Sequence, residues 1–264
     1  MKVEGRTFII SGGTSGLGRG AAQLLTHGDA YVVLFDLADD NNVVGQLPAG
    51  RAKFFQVDVT STSDIQKATD GTIEWTKETG APLGGVIACA GIAAPAKIIN
   101  SSYEPADIDT IQTVINVNVI GTIDLIRLAV PHLARVAPST DSENEEERGV
   151  VIMVSSSSAY DGQPGQVAYA ASKGAIRSLT LPLARDLSRY GIRAVSIAPN
   201  IFDTGMTAMM PEKLYNSLKK TLEWPARPGR PEEFGQLVLD ICRNPMLNGD
   251  CIRLDGASRL ASRI

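Results

Sequence analysis

Short β-branched runs alternate with longer amphipathic segments from one end of the chain to the other. Thr7 to Ser11, Tyr31 to Phe35, Ala52 to Val57, Gly85 to Ala88, Val150 to Ser155, Arg193 to Ala198 and Cys251 to Leu254 read as strands. Most are apolar at nearly every position, as expected of parallel strands covered on both faces. Between them, Leu17 to His27, Ser63 to Glu78, Ile108 to Arg135, Ala168 to Tyr190 and Pro231 to Arg243 follow helical periodicity. The alternation predicts an α/β fold, a doubly wound seven-stranded parallel sheet with right-handed crossovers and helices on both faces, forming a single domain over residues 1–264.

Two segments break the rhythm. Residues 138–148, PSTDSENEEER, carry almost no apolar group to offset the entropy of ordering, and read as an acidic, flexible loop. Residues 200–227 place Met206, Met209, Met210, Leu214, Leu218, Leu222 and Trp224 roughly along one helical face. Met-rich surface adapts to varied shapes, so this insertion is a candidate substrate lid; an ordinary packed helix pair fits the periodicity equally well.

Composition narrows the setting. With 44% apolar residues and a net charge of −4, nothing draws the chain toward nucleic acid or an anionic membrane, and no apolar run is expected to span a bilayer. Cys89, Cys242 and Cys251 lack metal-type spacing, which leaves no metal site and points to buried thiols in a reducing compartment. The first strand begins too early for a cleavable presequence, and Ser262-Arg263-Ile264 is close to a peroxisomal address. The expectation is an intracellular soluble protein, cytoplasmic or peroxisomal rather than mitochondrial.

After the first strand comes Gly12-Gly13-Thr14-Ser15-Gly16-Leu17-Gly18, opening into a helix. Such a loop lets the backbone approach a pyrophosphate and aims unpaired amides at it. Asp36, at the end of the second strand, can accept from both adenosine ribose hydroxyls and would repel a 2′-phosphate. Screened like-charge repulsion of about 1–2 kcal/mol favours NAD over NADP by roughly tenfold; a plain strand-end turn aspartate is the competing reading. Asp58 and Val59 are placed beside an adenine, and Cys89, Ala90 and Gly91 form a flat, small-residue surface against the cofactor.

Tyr169 and Lys173 lie about one turn apart on one helix face, where an ammonium can favour a phenolate. Ser156 stands at the mouth of the fifth strand, where a parallel sheet binds its ligands, and can hold a substrate oxygen. Asn118 is a polar residue on an apolar helix face, either a satisfied core amide or a hinge holding a proton-relay water near Lys173. Lys213, Lys219, Lys220 and Arg227 can meet a coenzyme A phosphate or simply face solvent.

These residues together resemble the short-chain dehydrogenase/reductase superfamily, with its Rossmann fold, over essentially the whole chain. SGGTSGLG stands for its glycine-rich element, ACAG for NAG, Asn118 for its helix asparagine, Ser156 for its serine, and YAASK for YxxxK. Runs such as LTLPLARDLSRYGIR and NPMLNGDCIRLDGASR, with Cys89, resemble the 3-hydroxyacyl-CoA dehydrogenase type 2 (multifunctional hydroxysteroid dehydrogenase) branch. The resemblance implies a homotetramer, NAD as cofactor, and hydride transfer between L-3-hydroxyacyl-CoA and 3-ketoacyl-CoA. It further implies that Ile201 offers backbone groups to the nicotinamide carboxamide and that Thr204 contacts the cofactor nearby. Ala88 and Asn200 depart from the asparagine and glycine usual there, and the acidic loop is not explained. A hydroxysteroid or secondary-metabolite ketoreductase, and a non-enzymatic NAD-binding scaffold subunit, remain as alternatives.

Overall fold

The computed structural model describes residues 1–138, 146–208 and 212–259. Most of the acidic segment, Met209, Met210 and Ser262-Arg263-Ile264 lie outside the described residues, as do the side chains of Met206 and Leu214. In chain order the main elements are β1 (Thr7–Ser11), α1 (Gly16–His27), β2 (Tyr31–Asp36), α2 (Val43–Gln46), β3 (Ala52–Gln56), α3 (Thr62–Thr79), β4 (Leu83–Ala88), α4 (Ile108–Ile115), α5 (Thr122–Leu133), β5 (Gly149–Val154), α6 (Val167–Leu187), β6 (Ile192–Pro199), α7 (Gly205–Ala208), α8 (Glu212–Lys219), α9 (Pro231–Arg243) and β7 (Cys251–Leu254).

All seven strands pair in parallel in the order β3-β2-β1-β4-β5-β6-β7. Successive side chains of a strand point to opposite faces, and here both faces are apolar. Phe8, Ile10, Val32, Leu34, Ile152 and Ile197 face α1 and α9 through Leu25, Phe234 and Val238. Ile9, Val33, Val86, Val151 and Met153 face α3, α5 and α6 through Ile65, Leu125, Ala129 and Ile176. The order reverses direction between β1 and β4, and the crevice at such a switch point is where a doubly wound sheet binds its ligand.

The single long helix expected over Ile108 to Arg135 is α4 and α5 joined by one π-helical stretch, Asn116–Gly121. Such stretches are rare and concentrate at functional sites. By length and composition, Ile108–Leu133 could cross a bilayer, contrary to the sequence expectation. In the fold it is a core helix, with Leu125, Ile126, Ala129 and Leu133 buried in one of the two apolar clusters.

Near the end of the acidic segment Glu146 is exposed but its neighbour is not. Glu147 is buried, accepting from Arg193 Nε at 2.7 Å and from the Met1 ammonium at 2.8 Å. Arg193 also donates to the carbonyls of Ile241, Cys242 and Leu247, so the buried pair leaves few unmet hydrogen bonds.

Candidate active site

Gly12 turns directly out of β1 with φ +63°, and a Cβ there would lie 2.9 Å from the Ala90 nitrogen. Gly18, in the first turn of α1, leaves no room for a Cβ beneath the Gly12 carbonyl. The loop and the helix start are thus pressed together and against the segment after β4. Ser15 precedes α1 without capping it through its side chain, so the leading amides of Gly16, Leu17 and Gly18 face outward toward any anion laid on the loop. The Thr204 side chain covers Gly16, its Cγ2 3.3 Å from where a Cβ would stand. Thr204 therefore closes over the glycine loop itself. Ile201 is buried just before it, its carbonyl accepting from Gly229 N at 2.9 Å.

Asp36 closes β2 with its carboxylate held by the glycine loop. Oδ2 accepts from Thr14 N at 3.1 Å and Thr14 Oγ1 at 2.7 Å, and Oδ1 accepts from Leu37 N at 2.9 Å. Lone pairs remain for ribose hydroxyls, since an ionised carboxylate offers about four acceptor directions. Thr14 was not singled out by sequence; a hydroxyl residue inside the glycine run was the available signal. Asp58 lies beyond the end of β3, exposed, with Oδ1 taken by Thr60 N and Oγ1 at 2.8 and 2.7 Å. Val59 packs on Gly121 of the π-helical stretch.

At the mouth of β5, Ser156 Oγ accepts from Ser158 N at 3.1 Å, and its hydroxyl is the side chain that holds the Tyr169 phenol's pKa down against burial. Lys173 follows one turn along α6, its Nζ 5.7 Å from the Tyr169 ring centre. The buried ammonium donates to the Val154 carbonyl at 2.9 Å, and Ser155 Oγ donates to the Lys173 carbonyl at 2.8 Å. The serine run thus has divided duties, which spacing alone did not reveal.

The electrostatics correct the expectation of a phenol made acidic by its neighbouring ammonium. Burial pushes Tyr169 above the ordinary tyrosine range, and the opposing influence is the Ser156 hydrogen bond. Burial also pulls Lys173 down to about 8, because its charged form loses hydration. Cys89, against the same ammonium, is pushed up to about 12 and stays a thiol at neutral pH.

Asn118 proves to be a clamp. Its Oδ1 accepts from Ile92 N at 2.8 Å, and its Nδ2 donates to Ile92 O at 2.9 Å and Ser172 Oγ at 3.0 Å. The amide is spent on tying the Cys89, Ala90 and Gly91 segment to α6 beside Lys173, not on presenting its donors to a water. A Cβ on Gly91 would crowd Asn118 Oδ1 at 3.2 Å and Lys173 Nζ at 3.3 Å, so the glycine lets the backbone approach the ammonium closely.

The structure therefore brings the glycine loop, Asp36, the segment after β4, Ser156, Tyr169, Lys173 and Thr204 to one edge of the sheet. The sequence profile of the short chain dehydrogenase family matches residues 6–214. The chain belongs to the short-chain dehydrogenase family. It is 40% identical over 260 residues to a 3-hydroxyacyl-CoA dehydrogenase type-2 of Drosophila melanogaster, covering 98% of this chain and 99% of that protein. It is 38% identical to the Homo sapiens enzyme of the same name, covering 98% and 97%. A solved 3-hydroxyacyl-CoA dehydrogenase type-2 from Mycobacterium avium superposes with a TM-score of 0.89 at 31% identity, covering 99% of this chain and 98% of that one. The protein is an oxidoreductase acting on a CH–OH group, and a nicotinamide dinucleotide is its cofactor. The uncapped start of α1 and the close-packed glycine loop before it fit that cofactor.

Proposed function

We propose that this enzyme is NAD-dependent and interconverts an L-3-hydroxyacyl-CoA and the corresponding 3-ketoacyl-CoA. The observation that carries the reaction is the Tyr169 phenol beside the buried Lys173 ammonium, whose Nζ lies 5.7 Å from the ring centre and is held at the end of the strand leading into Ser156. The substrate class rests on relatives bearing that name at 38–40% identity over nearly the whole chain. The choice of NAD rests on Asp36, whose charge would meet a 2′-phosphate.

When bound, the cofactor supplies the hydride acceptor or donor; the residues supply position and proton control. Gly12, Ser15, Gly16, Leu17 and Gly18 seat the pyrophosphate, Asp36 the adenosine ribose, and Asp58 and Val59 border the adenine. Cys89, Ala90 and Gly91 flank the nicotinamide half with Ile201 and Thr204. Ser156 holds the substrate oxygen while Tyr169 takes or returns its proton at the phenol oxygen. Lys173 supplies positive charge beside that oxygen and reaches the nicotinamide ribose. Asn118 keeps the neighbouring backbone in place.

Residues 200–227 act as the substrate lid in this reading. Leu218 of α8 is buried, while Trp224 stands out at 82% exposure, so this region presents apolar surface outward as well as inward. The proposed assembly is a homotetramer, supported by apolar residues left exposed on the helices: Ile108, Ile120 and Ile123 on the long helix, and Val167 and Leu181 on α6. The deciding experiment measures NADH and NADPH oxidation with acetoacetyl-CoA and with a steroid ketone at matched concentrations. NADH with acetoacetyl-CoA is expected to give the highest kcat/KM. Preference for the steroid would move the enzyme to the hydroxysteroid reading, and NADH binding without reduction of either ketone would move it to the scaffold reading.

A further inference from the structure

The loop after β6 carries a polar group that nothing in the described protein satisfies. The Asn200 Nδ2 atom is buried and has no hydrogen-bond partner among the described residues. The other end of the amide is fixed, Oδ1 accepting from Ser157 Oγ at 3.0 Å. With Oδ1 taken by the Ser157 hydroxyl, the end left unpaired is the Nδ2 donor. A buried donor without an acceptor costs free energy, and such a group persists where something else completes it.

Its position says what that is. Asn200 follows the last residue of β6, its backbone N–H donating to the Leu254 carbonyl at 3.2 Å at the end of β7. Ser155 N donates to Ile197 O, extending the pairing of β5 and β6 so that Ser156 and Ser157 lie level with Pro199 and Asn200. The amide therefore stands at the carboxyl ends of the strands, bonded to the immediate neighbour of the serine proposed to hold the substrate oxygen.

We infer that Asn200 is a ligand-binding residue whose Nδ2 donates to a carbonyl oxygen bound in this crevice, supplied either by the nicotinamide carboxamide or by the acyl group of the substrate. The inference rests on the proposed function and adds a specific donor to it. A carbonyl is the matching chemistry because the orphan is a neutral N–H: it needs an acceptor and brings no charge to recruit an ion.

The test compares wild type with Asn200→Gly, which deletes the amide, and Asn200→Asp, which keeps the acceptor for Ser157 but replaces the donor with oxygen. Three measurements are made without turnover: the melting temperature of ligand-free protein, NADH affinity by fluorescence titration, and acetoacetyl-CoA binding to NAD-loaded protein by calorimetry. Ligand-free melting of Asn200→Gly is expected to stay close to wild type, because relief of the unpaired donor offsets loss of the Ser157 contact. One affinity is expected to fall by roughly 3- to 30-fold in both variants. Loss of NADH affinity assigns the carboxamide; loss confined to acetoacetyl-CoA assigns the acyl carbonyl. Wild-type affinities in both variants overturn the inference, and so does collapse of folding in both, which would make the amide a scaffold for its own loop. If wild type reduces acetoacetyl-CoA normally in either case, the proposed function stands and only the role of Asn200 falls; a wild type that binds no NADH takes both down.

Discussion

The Lys173 ammonium donates to the Val154 carbonyl at 2.9 Å, which anchors the helix carrying Tyr169 to the end of the strand that leads into Ser156. The lysine is thus a strut between two catalytic elements as well as a charge. Burial lowers it to about 8 from an ordinary 10.5, so between those pH values the folded protein has shed a proton that the unfolded chain still holds. Stability of the ligand-free protein gains from this group as pH rises through that window. Lys173→Met is expected to remove that contribution, visible as denaturant midpoints that rise less with pH than those of wild type between pH 8 and pH 10.5, and to lower kcat by about 10²-fold or more.

Tyr169→Phe removes the one hydroxyl placed to exchange a proton beside Ser156. Turnover is expected to vanish while NADH affinity stays within about twofold of wild type, because the phenol oxygen adds little to cofactor binding. A variant that still turns over at the wild-type rate would take Tyr169 out of the reaction.

Thr14 supplies two of the hydrogen bonds that aim Asp36. Thr14→Val leaves the backbone donor and deletes the hydroxyl, so NADH affinity should drop by roughly 3- to 10-fold, the worth of one charge-assisted hydrogen bond partly compensated by water. Asp36→Ala should narrow the gap between NADH and NADPH by about tenfold. Paired titrations with both cofactors check each value.

A methyl group at Gly18 would collide with the Gly12 carbonyl under the glycine loop. Gly18→Ala is expected to cost about 1–3 kcal/mol in chemical denaturation and to weaken NADH binding, since relief of the clash must displace the loop or the helix start. A variant with native stability and affinity would show that the contact relaxes freely.

Glu233, at the start of α9, accepts from Arg227 Nη1 and Nη2 at 2.9 and 2.6 Å and from Arg230 N at 2.8 Å, which hold its carboxyl at about 2. A carboxylate lowered in the folded state adds stability at pH above its ordinary 4.5 and loses it as pH falls toward 2. Glu233→Gln should therefore melt lower than wild type at pH 7, with the difference closing through that acid window. Solvent screens this partly exposed pair, so the effect at pH 7 should be small and should shrink further in high salt.

The local pattern along the chain determined the sheet, its strands to within about two residues, and the chemical identity of the site, because apolar periodicity, the glycine loop and the Tyr169–Lys173 spacing are all written in near-neighbour residues. Tertiary structure alone decided what each polar group faces. It turned Asn118 toward Ile92 and Ser172, Lys173 toward Val154, Glu147 toward Arg193, and Thr14 onto Asp36. It also made burial outweigh the Ser156 influence at Tyr169 and left the Asn200 Nδ2 donor without a partner among the described residues. The physical reason is common to all of these. Desolvation and hydrogen-bond partnership depend on atoms distant in sequence and adjacent only after the strands have assembled, whereas periodicity needs nothing beyond the next few residues.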